Sequence, residues 1–266
     1  MTSAEMSEPL VVTRDGAVAV LTIDRPDKRN AMTAGMWAAL PGVLEAPAGD
    51  PGVRVLIVTG AGPSFCAGAD ISELLGGTDP VDPMADLRRD NLAAQAALRA
   101  FPKPTVALIR GHCIGGGVEV AAACDLRFTD PTGVFGLPPA KVGIVYPPAS
   151  IRALIDLVGP ATAKYLLLSG ELIDADTALR TGLVDRLVAS EQLEAEVFRF
   201  AEVLASRSAL TQRSVKEVVA ALTDGRDDDA EARAAVWYRE TIARGELAEG
   251  VAAFAERRPP RFGWAG

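Results

Sequence analysis

The 266-residue sequence predicts an α/β protein with a helical C-terminal portion. Two observations carry this expectation: apolar or β-branched runs alternate with helical stretches over the first two-thirds, and helical patterns alone fill the last third. The composition, 49% apolar and 23% charged, is that of an ordinary globular chain rather than a disordered or fibrous one.

The elements follow in order. Residues 11–24 (VVTRDGAVAVLTID) form a hairpin around Asp15-Gly16. RPDKRN, 25–30, is a loop by its proline and charge, and a helix starts at the cap Thr33 and runs towards Leu44. VRVLIVT, 53–59, has the nearly unbroken apolar pattern of a strand buried on both faces. A glycine-rich loop spans 60–68, a short turn 71–75, and GGTDPVDP, 76–83, reads as a mobile connection. An amphipathic helix covers 84–101, a second buried strand 104–110, an alanine-rich helix 118–124 and a third strand 125–129, with another strand beginning at 134–136. Beyond Pro147 the pattern is helical: short helices at 150–158, 160–168 and 174–181, longer ones at 191–207, 211–222 and 230–255. There is no internal repeat and no low-complexity tract.

Charge and composition exclude several function classes. A net charge of −8 argues against a nucleic-acid surface, although an anionic small ligand can be held by local convergence of a few cations. No apolar stretch reaches the roughly 18 residues of a membrane span, and the first ten residues lack the apolar core of a signal peptide, so a cytoplasmic protein is expected. Cys66, Cys113 and Cys124 show no metal or disulfide spacing and fit buried thiols in a reducing compartment. His112 is the only histidine, with no second ligand at metal spacing and no GxSxG elbow, so it is expected to be packed and hydrogen-bonded.

Three segments carry chemistry. In VTGAGPSFCAGADI, 58–71, Phe65 stands where a dinucleotide fingerprint needs its third glycine and no helix opens, so that fold is excluded. What remains is a loop whose small residues, Cys66 to Ala69, let backbone N–H groups approach a ligand, or else a tight strand-to-turn connection. In GHCIGGGVEVAAACD, 111–125, three glycines at a helix start present unhindered N–H donors to a developing negative charge. Glu119, in the first turn, sits in a run otherwise apolar from Ile114 to Cys124; burial there raises a carboxyl towards a pKa useful for proton transfer. Its bland role is a favourable charge at the helix dipole. In VFGLPPAKVGIVYPP, 134–148, two proline pairs fix a loop in which Tyr146 is either core or functional.

In this order and separation, the segments resemble the crotonase (enoyl-CoA hydratase/isomerase) superfamily. RPDKRNAM (25–32), Ala67-Gly68-Ala69-Asp70, Gly115-Gly116-Gly117-Val118-Glu119, Phe135-Gly136 and the stretches 170–184 and 249–262 carry the likeness, which spans about residues 10–262. The resemblance implies a spiral of ββα units over 10–200 behind a flexible tail, 1–9. It also implies a helical C-terminal region, 201–266, that builds a homotrimer or a dimer of trimers. It implies an oxyanion hole from the Ala69 and Gly116 amides around the thioester carbonyl of an acyl-CoA, coenzyme A being part of the substrate rather than a resident cofactor. The Ala67 carbonyl would meet the adenine amino group and Lys28 and Arg29 the phosphates, with Gly68, Asp70 and Ile71 also on the coenzyme A side. Gly115, Pro138 and Pro139 would line the substrate pocket.

The sequence departs from the family in one place. Hydratases carry a second glutamate directly after the proline of the third segment, where this chain has Pro139; Lys141 is the closest titratable group. Tyr146 coincides with the tyrosine of methylmalonyl-CoA decarboxylase-like members, which differ at the position of Ala69. Three activities follow: hydration or isomerisation with Glu119 as the single carboxylate, decarboxylation of a malonyl-type thioester through Tyr146, or coenzyme A binding without turnover. RNA binding, known in the family through a lysine-rich helix, is not expected from 84–101, whose Arg88, Arg89 and Arg99 stand among Asp86 and Asp90.

Overall fold

The structure, a computed structural model, describes residues 9–73 and 81–264; most of the connection 76–83 and of the tail 1–9 lies outside them. β1 (Leu10–Asp15) and β2 (Val18–Ile23) make the expected antiparallel hairpin, with Gly16 in the turn at φ 56°. β2 then pairs in parallel with β3 (Val55–Gly60), which continues to β4 (Thr105–Ile109), β6 (Leu126–Thr129) and β9 (Arg186–Leu187), giving a six-stranded sheet. Side-chain alternation explains its unbroken apolar runs. Leu56 and Val58 enter one core with Ala107 and Ile109. Val55 and Ile57 enter the other with Val106 and Leu108, covered by Leu193, Val197 and Ala201 of α7 (Leu193–Ala205).

A second row of strands lies beside the first. Met32 pairs with Ala69, Cys66 with Cys113, β5 (His112–Ile114) with β7 (Val134–Gly136), and β7 with β8 (Ile173–Asp174). The chain therefore coils: strand in the main sheet, short strand in the second row, then a helix. That is the spiral of ββα turns implied by the family resemblance. β5, β8 and β9 were not expected, because two or three residues carry too little alternation to register.

Helix α1 (Ala34–Gly49) begins as expected, with Thr33 Oγ1 accepting from the Met36 amide at 3.2 Å, but it runs past Leu44 through Pro41 and Pro47. Burial of Leu40, Leu44 and Pro47 outweighs the interior-proline cost, on the order of 3 kcal/mol each. α2 (Ala85–Arg99) and α3 (Gly116–Ala123) lie on the same core, followed by the one-turn α4 (Pro139–Val142). The pair expected at 150–158 and 160–168 is present: the run α5 (Pro148–Ser169) is two helical stretches parted at the non-helical Gly159 (φ 72°, ψ 166°), and α6 (Ala175–Thr181) follows. α8 (Ala209–Thr223) precedes a correction: the helix expected over 230–255 is two, α9 (Asp227–Ala243) and α10 (Glu246–Ala255), parted by Gly245 in a left-handed conformation. No helix among the described residues is long and apolar enough to cross a membrane.

One buried side chain ties the first turn to the site. Asn30 (φ 58°) accepts from the Arg25 amide through Oδ1 (2.9 Å) and donates to the carbonyls of Ala61 (2.9 Å) and Ser64 (2.6 Å). Asn30→Ala leaves three backbone groups, one buried and two partly buried, without this partner and puts a Cβ without a compensating amide in the left-handed region. The variant is expected to lose about 2–4 kcal/mol, measured by urea denaturation; a loss below about 1 kcal/mol contradicts this role.

Candidate active site

Two loops leaving neighbouring strands meet at one point. After β3, Phe65 is fully buried and no helix opens; the chain instead runs between two partners. On one side the Met32 amide donates to Gly68 O and the Asp70 amide to Met32 O; on the other, the Cys66 amide donates to His112 O and the Ile114 amide to Cys66 O. This holds residues 66–70 extended, with Gly68 at φ 100°. The second loop follows β5 and opens α3. Its first-turn amides have no intrahelical acceptor.

These ladders leave two amides unused. Neither the Ala69 N–H nor the Gly116 N–H donates to a protein acceptor among the described residues. The loops are in near contact: a methyl group on Gly68 would lie 3.3 Å from the Gly116 nitrogen, and one on Gly116 would lie 3.5 Å from the Ala69 nitrogen and 2.8 Å from Trp37 Cζ2. Glycine is required at both positions, by backbone conformation at Gly68 and by the Trp37 ring at Gly116.

Ala69 and Gly116 both line a cavity of about 430 Å³. Of the residues expected at the site, Ala67, Gly68, Ala69, Ile71, Gly115, Gly116, Glu119, Pro138, Pro139 and Tyr146 line it. Three do not line it. Lys28 and Arg29 are exposed on the adjoining loop, which touches the cavity wall where Arg29 O accepts from the Ala67 amide. The Asp70 carboxylate accepts from Ser72 Oγ (2.7 Å) and Arg25 Nη1 (3.1 Å), and these contacts hold it below the usual carboxylate range. Lys141 lays its stem along Gly170, outside the cavity.

Glu119 is buried, and burial pushes its carboxyl up from the ordinary value; hydrogen bonding from Asn91 and Ser150 opposes that shift without cancelling it. Asn91 Nδ2 donates to Glu119 Oε2 at 3.0 Å, and Gln95 Nε2 orients Asn91 through its Oδ1 at 2.7 Å while also reaching Ser150 Oγ at 3.1 Å. The sequence reading missed this relay. Its trace was the i, i+4, i+7 line Asn91, Gln95, Leu98, which sets two amides on the buried face of α2. The Tyr146 phenol stands over the helix start, 3.3 Å from where a Gly115 methyl would be, and burial together with the Glu119 charge pushes its pKa up.

Other reactive groups are accounted for. Burial pushes the Cys66 and Cys124 thiols up to about 12, so neither supplies a thiolate. His112 Nδ1 lies 3.4 Å from Ser64 Oγ, as expected of a packed histidine. Arg88 of α2 pairs with Asp82, and Arg89 with Asp86 and Asp90. Pro139 occupies the first position of α4, where its missing N–H is no loss, and carries no titratable group.

The comparisons with known proteins agree with this geometry. The sequence profile of the enoyl-CoA hydratase/isomerase family matches residues 13–264. A putative enoyl-CoA hydratase of Thermus thermophilus is 36% identical over 261 residues, covering 95% of this chain and all of that protein. A crotonyl-CoA hydratase of Syntrophomonas wolfei is 33% identical, covering 96% of this chain and 98% of its own length. The crystal structure of a putative enoyl-CoA hydratase/isomerase family protein from Hyphomonas neptunium superposes with a TM-score of 0.90 at 32% identity, covering 98% of this chain and all of that one. By fold, by sequence and by the two loops that meet at Glu119, this chain belongs to the enoyl-CoA hydratase/isomerase family of the crotonase superfamily.

Proposed function

We propose that the protein hydrates a 2-enoyl-CoA thioester, using Glu119 as its only catalytic carboxylate. The observation that carries this reading is that Ala69 and Gly116, whose amides have no protein acceptor among the described residues, line one cavity with a buried acid. When the oxygen of water attacks C3 of the enoyl group, the C2=C3 electrons move onto the thioester oxygen. Two preorganised N–H donors, one at a helix N-terminus, stabilise that enolate. Ionised Glu119 takes the proton from water and returns it to C2, so no second acid is needed and Pro139 can serve as wall. Ala67, Gly68, Asp70 and Ile71, with Lys28 and Arg29 on the exposed loop, form the coenzyme A side, where cations meet phosphate. Gly115, Pro138 and Pro139 border the acyl group.

Mass-spectrometric scoring of products from a mixed acyl-CoA panel tests this: crotonyl-CoA is expected to gain the mass of water. Tyr146 supports a second reading, because its phenol lies 3.3 Å from where a Gly115 methyl would be, one residue before Gly116. If Glu119→Gln still removes CO2 from methylmalonyl-CoA while Tyr146→Phe does not, the chain is a decarboxylase. Coenzyme A binding by calorimetry with no product from the panel makes it a silent binder.

The acidic limb of the pH profile offers a separate check. The Asn91 amide favours ionised Glu119, so its removal raises the Glu119 pKa further. Asn91→Leu is therefore expected to move the acidic limb of kcat/KM to higher pH; a limb that stays in place or moves down contradicts the relay.

Self-association is the other part of this proposal. Val219, Leu222, Ile242, Val251 and Phe254 of α8–α10 are exposed, and Phe254 is 87% accessible. Apolar surface of this extent supports a homotrimer or a dimer of trimers. Light scattering is expected to give three or six times 27.8 kDa; a monomer at micromolar concentration contradicts it.

A further inference from the structure

The cavity contains a cation that the hydration step does not use. Arg88 lines it from α2, on the helical face of Asn91 and one turn, ~4.5 Å along the axis, before the residue that holds Glu119. Its neighbours along the chain Met84 and Leu87, both apolar, line the cavity with it. Its one partner among the described residues is Asp82, reached through Nη2 alone. Both side chains of that pair are more than a third exposed, at 38% and 41%, so the pair itself contributes little. The remaining N–H groups of a planar five-donor fork take no protein acceptor among the described residues. Arg89 next to it differs: it lies outside the cavity and is bound by both Asp86 and Asp90.

A hydrocarbon acyl tail laid against Arg88 covers these donors without pairing them. A carboxylate at the far end of the acyl chain instead accepts two parallel N–H bonds from the fork, with Asp82 sharing the guanidinium or yielding it. We infer that Arg88 is a specificity residue selecting acyl-CoA thioesters whose acyl group ends in a second carboxylate, the monothioesters of dicarboxylic acids. The inference rests on the acyl-CoA reading above and adds the class of acyl group to it.

Titration calorimetry with adipyl-CoA and hexanoyl-CoA tests it, since the two have equal carbon counts, differ in the terminal carboxylate and are saturated, so neither is consumed. Adipyl-CoA is expected to bind the intact protein roughly 10-fold or more tightly than hexanoyl-CoA. In Arg88→Leu the adipyl-to-hexanoyl affinity ratio is expected to fall by roughly 10- to 100-fold, and in Arg88→Lys by less, because the charge survives without the fork. Arg89→Leu is expected to leave the ratio unchanged, which separates the cavity arginine from a general loss of positive charge. Equal or weaker binding of adipyl-CoA by the intact protein, or an unchanged ratio in Arg88→Leu, overturns the inference and leaves the acyl-CoA reading intact. Failure of both ligands to bind overturns the two together.

Discussion

Glu119→Gln is expected to lower kcat for crotonyl-CoA hydration by about 10²–10⁴-fold, while the protein remains folded. The substitution keeps the shape of the side chain but removes the buried carboxylate that lines the cavity. Pro139 cannot compensate, and Tyr146, whose phenol burial pushes further from ionisation, cannot act as the base. Stability separates loss of chemistry from loss of fold. A carboxyl whose folded pKa is raised stabilises the fold only while protonated; that contribution is complete below the ordinary carboxylate range and is lost as pH rises through the raised value. Above that raised value the ionised, buried Glu119 opposes folding, and a neutral amide there is expected to leave the melting temperature unchanged or higher. An inactive variant that melts much earlier points to a structural Glu119; a fully active one removes it from the mechanism.

Gly116→Ala is the second large effect. A methyl group at Gly116 meets Trp37 at 2.8 and 3.2 Å and lies 3.5 Å from the Ala69 nitrogen. Trp37 is fully buried and cannot move aside freely, so the α3 start must shift away from the 66–70 segment. In the proposed mechanism, separating the two donors removes stabilisation that strengthens as the enolate forms. The expected loss is about 10²–10³-fold in kcat with a smaller change in KM, the mark of an interaction made in the transition state. A variant that raises KM alone would show that this glycine only provides room for the ligand.

Much of this site was legible in the sequence because each feature broke a local rule. Glu119 is an acid in an apolar run, and Gly115 to Gly117 are three glycines at a helix start. Such departures from the surrounding pattern are visible in one dimension. The relay behind Glu119 was not, since Asn91, Gln95 and Ser150 come from two helices that meet only in the folded chain. The same distinction holds for the fold. The long buried strands β3 and β4 carry a complete apolar pattern, whereas β5 and β8 are defined by their neighbours in the second row. α1 runs through two prolines because tertiary burial exceeds a local penalty, and Gly245, which divides α9 from α10, is a single residue in a pattern that continues on both sides.

The account depends on the Ala69 and Gly116 amides closing on one oxygen atom. Isotope-edited infrared difference spectroscopy of hexanoyl-CoA labelled with ¹³C at the thioester carbonyl reads that event directly. Bound to the intact protein, the carbonyl band is expected to move to lower frequency than in water, and to return most of the way in Gly116→Ala. A band that keeps its solution frequency while calorimetry shows the ligand bound would mean that the two amides do not grip the carbonyl.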